Sequence, residues 1–258
     1  STLFPYTTLF RSNLSAFAGL IINPARSEVI IEKNSEHDSS YTVTNGFDKP
    51  VKVEISIKNW NNSRENRDIP VNSWLFVPYS CVYLEPGEAK KIDYTVKSGN
   101  LSGSLSAMIS FTVKSPDYEG INLMTSVPVY MTIDGTQNIS FDIEKIEVKK
   151  ENNNIAVNFT VKNEGNVHLR LNGGMKIIKG KNIVSERMIN DLSPVYPDLT
   201  RKFSELIDAV PKGVYTLNIS LNALGKTVEK SIRMRVNKYG DAAEVRSEER
   251  RVGKECRS

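Results

Sequence analysis

The sequence is poor in the residues from which metal sites, disulfide frameworks and many catalytic centres are built. Its 258 residues include two histidines and two cysteines, and the histidines, His37 and His168, are far apart. Cys256 belongs to a C-terminal tail of doubtful origin, which leaves Cys81 as the single cysteine of the body, without an intramolecular disulfide partner. A zinc site needs several such ligands together. We therefore predict no metal site and no cofactor.

Motifs typical of enzymes are missing as well. The sequence Gly225-Lys226-Thr227 has the end of a phosphate-binding P-loop, but Ser220 occupies the place of the first glycine, and no helical pattern follows. The Gly-x-Ser-x-Gly signature of a serine nucleophile is absent. We predict that the chain is not an enzyme, with no catalytic residues and no small-molecule substrate.

The chain also lacks a large excess of charge and a long apolar run. It has 34 basic and 30 acidic residues, and without the two terminal pieces described next the excess of positive charge is +1. A nearly neutral body gives no electrostatic reason to expect nucleic acid. No apolar run approaches the ~18 residues that cross a bilayer, so we predict no membrane span.

Both ends of the sequence look foreign to the protein. Residues 1–12 (STLFPYTTLFRS) and 246–258 (RSEERRVGKECRS) both end in Arg-Ser and resemble translated sequencing-adapter read-through. We interpret both as artefacts, the alternative being a natural aromatic N-terminus and a natural basic tail. Residues 13–18 (NLSAFA) fit the end of a secretory signal peptide, with cleavage before Gly19, or else a first β-strand. The first interpretation predicts an exported protein of the periplasm or cell surface.

The body of the chain alternates apolar and polar residues with the period of a β-strand. Such runs recur at short intervals and are separated by turn sequences such as Pro86-Gly87 and Lys212-Gly213. No comparable helical pattern is present. We predict an all-β fold of two tandem immunoglobulin-like β-sandwich domains, each with about seven strands. The polar break at Asp134–Gln137 places the first domain at residues 19–135 and the second at 136–238.

A local repeat supports two domains of one kind. Tyr41–Asn45 (YTVTN) is followed by Gly46, and Phe159–Asn163 (FTVKN) is followed by Glu164 and Gly165. In both halves a strand rich in β-branched residues ends at asparagine and turns on glycine. Within these domains we expect Trp60 and Trp74 to pack in a core and Cys81 to be a small buried hydrophobe.

Several of these features together resemble the PapD-like periplasmic chaperones. They are the opening strand with Ser27–Ile31 after it, the strand Tyr41–Asn45, the turn Asp48–Pro50, the segment Leu84–Glu88 (LEPGE) and the strand Gly103–Phe111. The second half, with Asn163–His168 and Pro211–Tyr215, is similar to the second domain of diverged relatives. The resemblance covers most of Gly19–Val236 and implies a protein that binds a partner by strand addition.

The resemblance also implies where a partner binds. In pilus chaperones the last strand of the first domain donates to the partner, and two basic residues anchor the partner's C-terminal carboxylate. Here Arg26 lies near the first basic position, but Glu28 occupies the matching place, and the last strand, Leu123–Ile133, has no lysine or arginine. Pro128 is typical of an edge strand. The expected partner-binding residues are Val127, Val129, Met131, Ile133 and Arg26.

Two functions are consistent with these observations. The first is an exported cell-envelope protein, chaperone-like, that holds a protein partner by β-strand addition. The second is a cell-surface adhesion or wall-protein-tethering module with no chaperone activity. The four apolar residues of the last strand also fit an ordinary domain core, which the sequence does not distinguish from a binding face.

Overall fold

A computed structural model describes residues 19–60, 68–114, 122–190 and 192–244. The two terminal pieces interpreted as artefacts and the expected signal remnant at 13–18 lie outside these residues. Strands dominate the described chain, so the predicted all-β fold is confirmed. The chain folds into two compact units, and the change from the first to the second falls between Ile133 and Asp134. The first unit comprises strands β1–β9 except the first two residues of β8, which group with the second.

Two sheets make up the sandwich of the first unit. One has the order β1-β3-β7-β5, and the other has the order β2-β9-β8-β4-β6. The first and second strands of the chain therefore belong to different sheets. The strands are β1 (Leu20–Asn23), β2 (Ser27–Ile31), β3 (Glu36–Asn45), β4 (Val51–Asn59), β5 (Leu75–Phe76), β6 (Cys81–Leu84), β7 (Ala89–Lys97), β8 (Ser104–Lys114) and β9 (Asn122–Ile133), with a 3₁₀ turn at Val71–Ser73.

The second unit is also a sandwich of two sheets. Their orders are β10-β11-β14 and β13-β12-β15-β16-β17. The strands are β10 (Phe141–Glu151), β11 (Asn154–Asn163), β12 (Asn172–Lys179), β13 (Asn182–Ile189), β14 (Thr200–Asp208), β15 (Gly213–Ala223), β16 (Lys226–Val236) and β17 (Ala242–Glu244). The last strand pairs with β16 and lies beyond residue 238, the expected end of the domain.

The alternation of the sequence becomes a buried face in both units. In β11 the alternate residues Ile155, Val157, Phe159 and Val161 lie in the core of the second unit. In the first unit Tyr41 and Val43 of β3 are buried in the same way. A strand with one apolar face can remove that face from water only by packing against a second sheet, which is why both halves form sandwiches.

The repeat seen in the sequence has a structural cause. Asn45 and Asn163 are fully buried, and each amide Nδ2 donates to two backbone carbonyl oxygens. In both cases one acceptor lies four residues later and the other belongs to a distant segment, at Leu84 and Val195. Each Oδ1 accepts the backbone N–H two residues later. The repeated Asn therefore joins its own turn to a second segment of the same domain.

Two expectations about single side chains are wrong. Trp74 is buried as predicted, but Trp60 is exposed, because it follows the last residue of β4 and is not held inside the sheet. Cys81 is half-buried rather than buried. It lies at the start of β6, the outermost strand of its sheet.

Candidate partner-binding edge

Strand β9 is an inner strand along one half and an edge along the other. Its neighbours in the sheet are β8 on one side and β2 on the other. The parallel pairing with β2 covers Val129–Ile133, opposite Ser27–Ile31. Along Asn122–Pro128 no described strand pairs with β9 on the β2 side. We call the segment Asn122–Val127 the open half of β9.

Two buried tyrosines mark the point where the open half ends. The Tyr41 hydroxyl donates to the carbonyl oxygen of Pro128 at 3.0 Å, and the Tyr94 hydroxyl donates to Oγ of Ser27. The two rings stack with their centroids 5.3 Å apart. Burial, and after it the neighbouring Tyr94, raises the pKa of Tyr41 well above its ordinary value. Because proline has no N–H and its carbonyl is occupied, Pro128 offers little to an added strand.

The structure places the four predicted apolar binding residues inside the sandwich. Val127 is 4% exposed, and Val129, Met131 and Ile133 are 0% exposed. These side chains therefore lie in the core, as the alternative interpretation of the alternation expects, and β2 pairs with the edge of the strand from Val129 onward. Binding of a partner through these side chains stays a prediction, and any such binding would need the domain to open.

Arg26, the fifth predicted residue, lies in the segment between β1 and β2. Its Nε forms an ion pair with Glu28 Oε1 at 3.1 Å, and both side chains are close to half exposed. The arginine charge is thus balanced by Glu28. A role for Arg26 in partner binding stays a prediction.

The open half carries exposed residues that the sequence analysis did not single out. Leu123 is 39% exposed and Met124 is 60% exposed, although they point to opposite faces of the strand. Ser126 is half-buried, and its Oγ lies 2.7 Å from Ser110 Oγ on β8. The alternation of Val127–Ile133 drew attention to buried residues of the strand. Pro128, which is typical of an edge strand, lies next to the open half.

A depression with lysine side chains lies beside the start of the open half. It has a volume of 380 Å³, and its lining includes Lys52, Glu54, Thr112, Lys114 and Asn122. Lys52 Nζ lies 3.4 Å from Glu54 Oε1, and the hydrogen bond to Glu54 raises the pKa of Lys52. These residues are on the outer face of the sheet, opposite the buried Val53 and Val113.

The described residues contain no cluster of three or more His, Cys, Asp or Glu side chains that could hold a metal ion. In the same part of the chain, no helix is both long enough and apolar enough to cross a membrane.

Comparison with known proteins gives a fold. No protein-family profile matches the chain, and no curated protein sequence matches it. Among solved structures, the class 5 fimbriae chaperone CfaA is similar, with 17% identity, a TM-score of 0.50, and coverage of 83% of this chain and 98% of that one.

Two further similar chains come from complexes. One belongs to the chaperone–tip adhesin complex of CFA/I fimbriae, with 19% identity, 83% and 98% coverage and a TM-score of 0.47. The other belongs to the Salmonella enterica SafA pilin bound to the SafB chaperone, with 12% identity, 84% and 96% coverage and a TM-score of 0.45. The likeness to CfaA, together with the four sheets described above, shows that the chain has the PapD-like fold of two tandem immunoglobulin-like sandwiches.

Proposed function

We propose that this chain is an exported, non-enzymatic protein of the cell envelope that holds a protein partner by strand addition at the open half of β9. The observation that carries the proposal is that Asn122–Val127 has no partner among the described strands on the side where β2 pairs with Val129–Ile133. An unpaired strand edge is a template for another extended chain, which supplies the missing main-chain hydrogen bonds. The open half is as long as a typical strand of about 5–6 residues.

The side chains of the open half favour an added strand. Leu123 and Met124 offer exposed apolar surface, and burial of such surface is worth about 25 cal/mol per Å². The whole of β9, Asn122–Ile133, has no charged residue. A partner strand can therefore approach without removing a charge from water, which would be costly.

Two edge strands of the second unit carry features that discourage strand addition. Strand β10 has lysines at 145 and 149 and a bulge near Ile143. Strand β13 has Glu186 and Arg187, and its pairing with β12 shifts register at Ile177. Charges and bulges of this kind blunt exposed edges in natural proteins. The open half of β9 has no charge and so lacks this hindrance to a partner strand.

The fold supports the same proposal at a coarser level. The chain shares its architecture with a fimbriae chaperone, CfaA. Export to the periplasm or cell surface is part of the proposal, and it rests on the expected signal remnant at 13–18 and on this fold.

Photo-crosslinking in the native host tests the site. A photoreactive amino acid replaces Met124 in one variant and Met188 in another, since both methionines are exposed on edge strands and Met188 is 70% exposed. Irradiation of intact cells should join the Met124 variant to one envelope protein, which mass spectrometry then identifies. The Met188 variant serves as the matched control and should give no such product.

The purified partner completes the test. It should bind the unaltered chain, and Met124→Asp should weaken that binding while Met188→Asp leaves it unchanged. Equal crosslinking from both positions, or unchanged affinity for Met124→Asp, would contradict strand addition at β9.

A further inference from the structure

The positive depression beside Asn122 has a direct bearing on what the added strand contains. Lys52 and Lys114 line the same depression, together with one acidic residue, Glu54. The ion pair between Lys52 and Glu54 balances one lysine. Among the described residues Lys114 has no ion-pair partner, and its side chain is exposed. Counting the described residues alone, the depression therefore has one more positive than negative charge beside the start of the open half.

This charge lies within reach of one face of an added strand. Lys114 is the last residue of β8, Asn122 is the first residue of β9, and both line the depression. A strand added to β9 would lie two strand spacings from β8, about 10 Å away. A lysine and an acidic side chain that both project from the outer face can close that gap above the short Asn122 side chain.

A carboxylate at the C-terminus of the partner's main chain would not reach Lys114 in the same way. Main-chain groups of an added strand lie in the plane of the sheet, separated from Lys114 by the whole width of β9. Only a side chain that stands perpendicular to the sheet projects over β9 towards the lysine. The geometry thus favours a side-chain carboxylate over a chain terminus.

We infer that the strand held by the open half carries an aspartate or glutamate side chain on its outer face beside Asn122, and that Lys114 binds this carboxylate. The inference rests on the proposed strand addition and adds the chemical character of the partner to it. The partner segment is extended, uncharged next to Leu123 and Met124, and acidic at the end next to Lys114. At the other end of the open half, next to Pro128, Arg26 is paired with Glu28, so this end carries a balanced pair of charges.

Synthetic peptides provide the probe. Acetylated, amidated peptides of about eight alternating threonine and valine residues have the length of one strand. One threonine at a time is replaced by glutamate or by glutamine, and a further peptide ends in a free carboxylate instead. Binding to the full chain is measured by fluorescence anisotropy. At one position the glutamate peptide should bind about 3- to 5-fold tighter than the glutamine peptide, the advantage of an exposed ion pair.

Lysine variants show which group is responsible. Lys114→Gln should abolish the preference for glutamate, and Lys114→Glu should reverse it. Lys176→Gln, an exposed lysine on β12, is the matched control and should change nothing. The preference should also weaken between about 0.05 M and 0.5 M NaCl, because salt screens exposed charges.

The outcomes separate this inference from the proposed function. Glutamine peptides that bind as tightly as glutamate peptides overturn the inference and leave strand addition standing. A preference for the free-carboxylate peptide that Lys114→Gln removes also overturns it, in favour of a terminal anchor. Failure of every peptide to bind overturns both proposals.

Discussion

The buried asparagines show how single residues hold each sandwich together. The Asn163 amide donates to Val167 and Val195, and its Oδ1 accepts from the Gly165 N–H. Each buried carbonyl that loses its donor costs about 1–3 kcal/mol. We expect Asn163→Ala to lower the free energy of unfolding by about 3 kcal/mol, measured by urea denaturation.

Two further variants separate hydrogen bonding from packing at this position. Asn163→Asp keeps the size of the side chain but removes both donors, so it should destabilise the domain at least as much. Asn218→Ala removes an exposed hydrogen bond to Ser231 and should change stability by less than about 0.5 kcal/mol. A stable Asn163→Asp protein would show that the hydrogen bonds are not the reason for the repeated residue.

Tyr41 gives the first domain a dependence on alkaline pH. Its pKa is raised mainly by burial, so the folded protein retains the hydroxyl proton more strongly than the unfolded chain does. The resulting stability is fully present below the unfolded pKa near 10 and is lost as pH rises above it. We expect the melting temperature to fall between about pH 9 and pH 11, and Tyr41→Phe to show a shallower fall. Equal slopes in the two proteins would exclude Tyr41 as the cause.

Substitutions at two positions of strand β9 should have opposite effects on stability and binding. Val129 is fully buried and paired opposite Ser27, whereas Met124 is exposed in the open half. Val129→Asp places a charge in the core and should cost more than about 4 kcal/mol, so the domain should unfold. Met124→Asp should leave the melting temperature within a few degrees. If Val129→Asp keeps the melting temperature and loses only the partner, then the buried residues are the binding face after all.

The strand β9 could be predicted from the sequence, but the difference in pairing between its two halves could not. The alternation from Val127 to Ile133 correctly indicates one apolar face. Which part of the strand edge is paired depends on β2, about a hundred residues earlier, because the chain changes sheets between β1 and β2 and then pairs with Val129–Ile133. No local pattern encodes such a pairing. By contrast, the tandem sandwiches and the Asn45–Asn163 repeat follow from local residues, and both could be predicted.

Apolar cores, rather than surface charges, stabilise the molecule as a whole. Six ion pairs in the described residues join side chains two positions apart in sequence, such as Lys145–Glu147 at 2.7 Å, and both partners are largely exposed. Exposed pairs of this kind are worth about 0–1 kcal/mol each and weaken in salt.

Salt should therefore affect binding more than folding. We expect the melting temperature to change by no more than a few degrees between about 0.05 M and 0.5 M NaCl, measured by differential scanning calorimetry. Variants of Lys145 and Lys149 should behave like the unaltered chain. A drop of ten degrees or more in high salt would show that the ion pairs carry a substantial part of the stability.

The division of β9 at Pro128 also sets limits on how the protein can vary. Substitutions at Val129–Ile133 mainly affect the stability of the fold, because this segment is paired with β2 and most of its side chains are buried. Under the proposed strand addition, substitutions at the exposed Asn122, Leu123 and Met124 mainly affect binding of the partner. Mutational tolerance should therefore change abruptly within one twelve-residue strand. Related proteins with different partners would then differ before Pro128 and agree after it, so that specificity can diverge while the fold is retained.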